Sequence, residues 1–357
     1  PQEVSEIMAQ IVDPKDGDRI YDPTCGSASL LIRAAKKTEK GKVAIYGQEV
    51  SNSTLSLAKM NMFIHGINDA RILQGDTLAH PQHLDSEGNL MKFDCIVANM
   101  PFSKDKWASG FNPGGEVFQD DQEDTEDDTK NKAKKKKDFN MESSYDRWHR
   151  FDWGIPPASK GDWAFLLHMI HSMSGNGRVA AVAPHGVLFR GASEGRIRQM
   201  TVDKNLIDAV IGLPENLFYG TSIPACIIVF RKGRPNTDVL FIDASGKDNY
   251  KKDKAKNRLR VGENGEPNDI EKIVKTYRAY LEGNRAAAEV EKYSHIASLD
   301  EIKENEYNLN IPRYVDTFEE EEIIDIEAVN TEIAELKGKI GEIEKEMEKY
   351  LKELGLE

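Results

Sequence analysis

Cysteine is scarce: Cys25, Cys95 and Cys226 are spread over 357 residues and form no CxxC pair. That pattern suggests neither a disulfide framework nor a zinc cluster, so no metal site is expected and a reducing cytoplasm suits the chain. Long apolar runs are missing as well. No stretch reaches the roughly 20 residues of a membrane-spanning helix and no signal peptide opens the chain, so no membrane contact is expected. Positive charge is not in excess either. A net charge of −13 excludes a protein that coats nucleic acid by bulk attraction; any DNA contact needs a local basic face or a partner. The opening "PQEVSEIMAQIV" reads as an amphipathic helix already in progress, and a preceding region is expected.

What is present is the patterning of a layered globular protein. Hydrophobic residues make up 39% of the chain, enough for a sizeable core. Short apolar runs alternate with helical stretches from about residue 18 to 245: "RIYD", "KVAIYGQE", "ARILQGD", "FDCIVAN", "RVAAVAP", "IDAVIGLP", "ACIIVFR" and "VLFIDA" read as strands. Between them, "STLSLAKMNMFIHG" and "DWAFLLHMIHSM" repeat apolar residues every three to four positions. Several strands are apolar almost throughout, as strands covered by helices on both faces must be. The expected fold is α/β and Rossmann-like, with a mixed, mainly parallel sheet.

Three segments depart from that pattern. Residues 116–140, within the first domain (1–245), place an acidic block before a basic one and read as a flexible charged insertion. A solvated loop is the better reading than phosphate contact by "KNKAKKKK", because the acidic block opposes it. "SGKDNYKKDKAKNRLR" at 245–260 is a second basic loop, in which contact with phosphates and plain solvation are equally supported; it opens a connecting, partly helical region, 246–320. Over 321–357, Ile326, Val329, Ile333, Leu336, Ile340, Ile343, Met347, Tyr350 and Leu354 alternate spacings of three and four. That heptad seam predicts a coiled-coil helix, and Gly338 and Gly341, each costing about 1 kcal/mol relative to alanine, leave it in need of a partner helix, with packing back on its own domain as the lesser alternative.

Ligands of open parallel sheets bind at the carboxyl ends of the strands, and the informative residues lie at those ends. The first strand runs into Asp22, Pro23, Thr24, Cys25, Gly26, Ser27, Ala28 and Ser29, small residues that let backbone N–H groups approach a ligand closely. The segment is neither G-x-G-x-x-G nor a Walker sequence, so it suits an amino-acid and sugar portion better than a phosphate. Glu49, closing the second strand, stands where an acid accepts from ribose hydroxyls. Asp76, after the third, is placed to accept from an adenine amino group. Each acid alone reads equally well as a helix cap; in order, they describe a pocket for an adenosine without phosphates, and S-adenosylmethionine suits it better than NAD or ATP. The fourth strand ends in Asn99-Met100-Pro101-Phe102. The Asn99 amide oxygen and the Met100 carbonyl can together hold an exocyclic amine in a nucleophilic geometry, Pro101 fixes the turn, and Phe102 offers a stacking face for a base taken out of a duplex. Alone, the tetrapeptide reads as an ordinary strand-ending turn.

"DPTCGSASLL", "GQE", "GDTL" and "ANMPFS", followed by "PHGVLFRG", "GLPENLFYGTSIPACIIVFRK" and "NLNIPRYVDT", resemble the methylation subunit of type I restriction-modification systems, which are adenine-N6 DNA methyltransferases. The resemblance implies S-adenosylmethionine contacts from Asp22 to Ser29 and from Glu49, adenine contact from Asp76, and a catalytic role for Asn99 to Phe102. It also makes Pro1 and Gln2, in "PQEV", the remainder of the family's N-terminal cofactor motif; the Thr and aromatic residue that precede it, and the helical domain before them, are not in this sequence. Met100 departs from the family's Asn-Pro-Pro-Phe, keeping the carbonyl while losing proline's fixed φ; lowered rather than abolished activity is expected. The implied partners are DNA, a specificity subunit docking on the C-terminal helix, a restriction subunit and a second methylation subunit.

Other residues read less sharply. His185 is better taken as a structural histidine than as a group beside the target base, Arg313 as a surface ion pair, and Trp163 as core, whereas Trp107, Trp148 and Trp153 suit packing or the DNA approach. A methyltransferase for RNA or protein nitrogen, and a noncatalytic scaffold marked by Met100, stay open as alternatives.

Overall fold

The computed structural model describes residues 1–38, 42–111, 141–218, 222–253, 256–317 and 326–354. The charged insertion expected at 116–140 lies outside the described residues. The chain begins with α1 (Gln2–Val12), β1 (Arg19–Asp22), α2 (Ser29–Ala35), β2 (Ala44–Glu49), α3 (Asn52–Ile64), β3 (Arg71–Gln74) and β4 (Phe93–Asn99). It continues through α4 (Asp162–His171), β5 (Met173–Pro184), α5 (Ala192–Asp203), β6 (Ile207–Gly212), β7 (Ala225–Arg231) and β8 (Val239–Asp243). A small hairpin of β9 (Lys251–Lys252) and β10 (Asn257–Arg258) follows, then α6 (Asp269–Leu281), α7 (Arg285–Ala288), β11 (Ser294–Ala297), α8 (Leu299–Glu304) and α9 (Ile326–Glu353).

Nine strands form one sheet in the order β11-β8-β6-β7-β5-β4-β1-β2-β3. Every expected strand takes part. Pairing is parallel from β3 through β5 and between β6 and β8. It is antiparallel where β7 slots between β5 and β6, and where β11 closes the edge on β8. The chain leaves β1 for β2 and β3 on one side and returns to β4 on the other, so the β1/β4 boundary is a topological switch point, where ligands of such sheets bind.

Side-chain alternation divides the interior into two cores, one on each face of the sheet. Ile20, Cys95, Val97, Ala180 and Val182 point into one, with Ile7 of α1, Leu31 of α2 and Ile273 of α6. Tyr21, Ile96, Ala98, Val179 and Ala181 point into the other, with Trp163 and Leu167 of α4. This double coverage is why "CIVA" is apolar at every position.

The compact unit runs from Pro1 to Thr317. The region expected as connecting, 246–320, belongs to it as far as Thr317: β11 pairs with β8 over Ser294 to Ala297, and α6 buries Ile273, Val274 and Tyr277 in the first core. The second unit, Phe318–Glu357, contains α9, which is helical from Ile326 to Glu353 within the expected heptad segment. Ile333, Leu336, Ile340, Ile343, Met347, Tyr350 and Leu354 are all exposed. Among the described residues no helix is long and apolar enough to cross a membrane. The three cysteines are free and buried.

Candidate functional site

Alternation and register gather the polar strand ends. Ile20 pairs with Cys95 and Tyr21 with Ile96, so Asp22 follows Ile20, and Asn99 follows Cys95 and Val97, onto the same face of adjoining strands. On β2, Ile45 points into that face and Gly47 lies against Cys25 and Leu31, which brings Glu49 to the same side. Three polar groups thus end three neighbouring strands in front of one loop.

That loop is Asp22–Ser29. Asp22 is 2% exposed and its Oδ1 accepts the Thr24 N–H at 2.9 Å, closing an Asx turn. Burial raises the Asp22 carboxyl to about 7, the Thr24 N–H opposes the rise, and the nearby Glu49 adds to it. Gly26 has φ 52° and open space where a side chain would stand, and its N–H donates to Glu49 Oε2 at 3.0 Å. Ala28 also adopts left-handed backbone, φ 62°, as α2 begins, at a cost of about 1–2 kcal/mol for a residue with a Cβ. Further ties come from the Cys25 N–H to the Gln48 carbonyl at 3.0 Å and from Asn61 Nδ2 to the Ser27 carbonyl at 2.8 Å. Gly47 lets the second strand approach this closely: a Cβ there would sit 2.9 Å from Ile72 Cδ1 and 3.0 Å from Cys25 Sγ.

Glu49 is partly engaged, its Oε1 accepting the Ser51 N–H at 2.9 Å while Oε2 holds Gly26. An ionised carboxylate has about four acceptor positions, so capacity remains. Asp76 Oδ1 accepts from the Leu78 and Ala79 N–H groups at 2.9 and 3.4 Å, while Oδ2 bonds to no described residue. Thr77 Oγ1 donates to the Pro23 carbonyl at 2.5 Å, joining this turn to the first loop. Pro1 and Gln2 begin α1, and no hydrogen bond among the described residues links them to that loop; Gln2 lines a surface cleft with Arg33, Arg258 and Arg260.

The fourth strand end presents the tetrapeptide. Asn99 is exposed, and its amide makes no hydrogen bond to any described residue. Met100 alternates to the opposite face and is 2% exposed in the second core. Pro101 is exposed. Phe102 packs against the first core and meets Phe218 edge-on, ring centroids 6.0 Å apart. Phe218, from "GLPENLF", is an aromatic face that sequence patterning did not single out.

Sequence reading also missed a buried cation beneath the Asp76 turn. Arg150 is 0% exposed, pairs with Asp146 at 2.8 Å, and donates to the carbonyls of Thr77 at 3.3 Å and Leu78 at 2.5 Å. Its Nη1 also faces His168 Nδ1 at 3.0 Å, and burial first, then Arg150, keeps His168 neutral by lowering its pKa well below the usual value. Nothing in "YDRWHRF" marks one arginine as buried.

The less sharply read residues mostly pack. His185 Nε2 faces the Ala225 carbonyl at 3.1 Å and burial lowers its pKa. Trp163 and Trp107 are buried; Trp148 and Trp153 are half-buried. In the basic loop, Lys251 pairs with Glu266 at 2.5 Å, Arg258 with Glu3 at 3.7 Å and Arg260 with Asp269 at 2.8 Å.

The loop, the two acids and the unengaged amide suit an S-adenosylmethionine site. Thr24 Oγ1 is buried and meets no described hydrogen-bond partner, a deficit worth about 1–3 kcal/mol that a polar ligand removes. The comparisons point the same way. The family model for N-6 DNA methylases matches residues 1–323. The chain is 35% identical to the type I restriction enzyme MpnII methylase subunit of Mycoplasma pneumoniae over 349 residues, which is 94% of this chain and 56% of that protein. It is 31% identical to the MjaVIII methylase subunit of Methanocaldococcus jannaschii, covering 99% of this chain and 55% of that one. The type I restriction-modification methyltransferase subunit of Streptococcus thermophilus superposes with TM-score 0.70 at 37% identity, over 88% of this chain and 59% of that one. The chain therefore spans a little over half the length of these relatives.

Proposed function

The chain belongs to the N-6 DNA methylase family, and from that premise we propose that it methylates adenine N6 in DNA as the modification subunit of a type I restriction-modification complex. The observation that carries the reading is the convergence of Asp22, Glu49 and an unengaged Asn99 amide on one face at the ends of β1, β2 and β4. The first two residues, with Thr24, Gly26 and Asp76, would hold S-adenosylmethionine. When bound, that cofactor supplies an electrophilic methyl carbon.

The remaining work falls to the tetrapeptide. Asn99 Oδ1 accepts one N–H of the target amine and the Met100 carbonyl accepts the other, drawing the nitrogen's lone pair out of conjugation with the ring. The two dipoles also stabilise the positive charge that develops on the amine. The Phe102 ring offers the extruded base a stacking surface. Met100 serves this scheme through its backbone, and its buried side chain supports the turn from the core, so the missing proline is compatible with turnover.

Specificity for a DNA sequence, in this reading, comes from a partner subunit docked on α9, whose exposed Ile333, Leu336, Ile340 and Ile343 seam is suited to another helix. DNA, a restriction subunit and a second methylation subunit complete the assembly. Support lies in the relatives named as type I methylase subunits.

The test is transfer of labelled methyl from S-adenosylmethionine to DNA by the chain co-purified with its specificity subunit. Label recovered as N6-methyladenine, and lost by about 100-fold or more in Asn99→Ala, is the expected result. Label on RNA or protein instead, or cofactor binding without transfer, overturns the reading.

A further inference from the structure

We propose that Asp162 is the positioning residue of the catalytic turn, holding Asn99 to Phe102 in place through Ser103 and steered in turn by Arg190. The inference rests on the reading of Asn99–Phe102 as catalytic. Asn99 is fixed from one side by β4, where it pairs with Val182 of β5. Immediately beyond the tetrapeptide the chain turns through left-handed backbone at Ser103, φ 50°, and the Ser103 N–H donates to Asp162 Oδ1 at 2.6 Å. The four residues therefore span two anchors, one in the sheet and one on a carboxylate.

Asp162 is built for directional support. It is 0% exposed, and its second oxygen, Oδ2, accepts from Arg190 Nη2 at 3.0 Å. Arg190 Nη1 reaches both oxygens of Glu194, at 3.1 and 3.2 Å. Gly186, in the turn after β5, leaves room for that guanidinium: a Cβ there would stand 2.3 Å from Arg190 Nε. Two backbone bonds zip the same region, from Gly161 N to the Lys104 carbonyl at 3.0 Å and from Lys106 N to the Ala158 carbonyl at 2.9 Å. An acid in the first turn of α4 needs no more than solvent to favour the helix dipole. Asp162 instead spends both oxygens on groups 59 and 28 residues away in the chain.

The experiment uses the complete complex with its specificity subunit and compares the natural chain with Asp162→Ala, Asp162→Asn and Asn99→Ala. Single-turnover methyl transfer, cofactor Kd by calorimetry, and hydrogen exchange of the 99–107 peptide are measured for each. A misplacement of about 1 Å at a reacting group costs on the order of 100-fold, so Asp162→Ala should lose about 30- to 100-fold in transfer rate while its cofactor Kd stays within about twofold. Exchange should quicken at 99–107 and stay unchanged in β5 and β7. Removing the carboxylate does not strand the arginine, which keeps Glu194 and stays 24% exposed. Asp162→Asn keeps an oxygen for the Ser103 N–H while turning its NH2 toward Arg190, so it should recover part of the loss. Asp162→Ala at the natural rate, or Asn and Ala equally impaired, overturns the proposal. If the natural complex labels no adenine at all, the proposed function falls and takes this inference with it; labelled adenine with an indifferent Asp162→Ala sinks only the positioning role.

Discussion

Arg150 Nη2 donates to the Leu78 carbonyl at 2.5 Å, so the turn that presents Asp76 hangs on a guanidinium with no access to water. Its charge is balanced by the equally buried Asp146. Asp146→Ala leaves that charge uncompensated and should cost about 3–5 kcal/mol in urea unfolding. Replacing the pair with apolar residues, Arg150→Met together with Asp146→Leu, leaves no buried charge and should cost less stability, yet still weaken cofactor binding, since the Thr77 and Leu78 carbonyls lose their donor. An unchanged Kd in the double variant would separate Arg150 from the cofactor site.

The Asp22 carboxyl makes stability and binding depend on pH in opposite senses. Its folded value, about 7, lies above the ordinary 3.8. Below about pH 4 both folded and unfolded chains keep the proton; between about 4 and 7 only the folded chain does, so its contribution to stability fades as pH rises through that window. Asp22→Asn should therefore raise the Tm of the unliganded protein at about pH 8. A cationic ligand needs the ionised form, so cofactor affinity should be about tenfold weaker at pH 6 than at pH 8, and Asp22→Asn should flatten the profile. Calorimetry across that range decides it; a flat profile in the natural chain removes Asp22 from the binding charge.

Met100 should tolerate another large apolar side chain and resent a small one. Met100→Leu keeps the core filled and should change methyl transfer less than about threefold, with under about 1.5 kcal/mol lost. Met100→Ala should cost about 2–5 kcal/mol. Equal stability of the two variants in urea unfolding would mean that the side chain does not support the turn from below.

Truncation after Thr317 should leave the first unit intact, because both cores lie within Pro1–Thr317. The truncated chain should keep its Tm and cofactor Kd while failing to co-elute with the specificity subunit in size-exclusion chromatography. Retained co-elution would move the docking surface off α9.

Much of this architecture is legible in the sequence because sheet strands covered on both faces must be apolar throughout, as "CIVA" and "ACIIVF" are. The strand-end acids are legible because their order along the chain matches the order of β1, β2 and β3 in the sheet. Buried polar networks are not. Asp162 meets Ser103 across 59 residues and Arg150 meets Leu78 across 72, and no local periodicity marks either partner. β11 also escaped notice, since four residues on a sheet edge carry too few alternations to register.

Among the described residues the Asn99 amide has no hydrogen bond to aim it, so its direction is inherited from strand registry. Slipping β4 by one residue between β1 and β5 would turn the amide to the far side of the sheet and send Cys95 and Val97 into the wrong interior together. Re-aiming the reactive group thus requires breaking both cores at once. Its orientation should persist as long as global unfolding is rare.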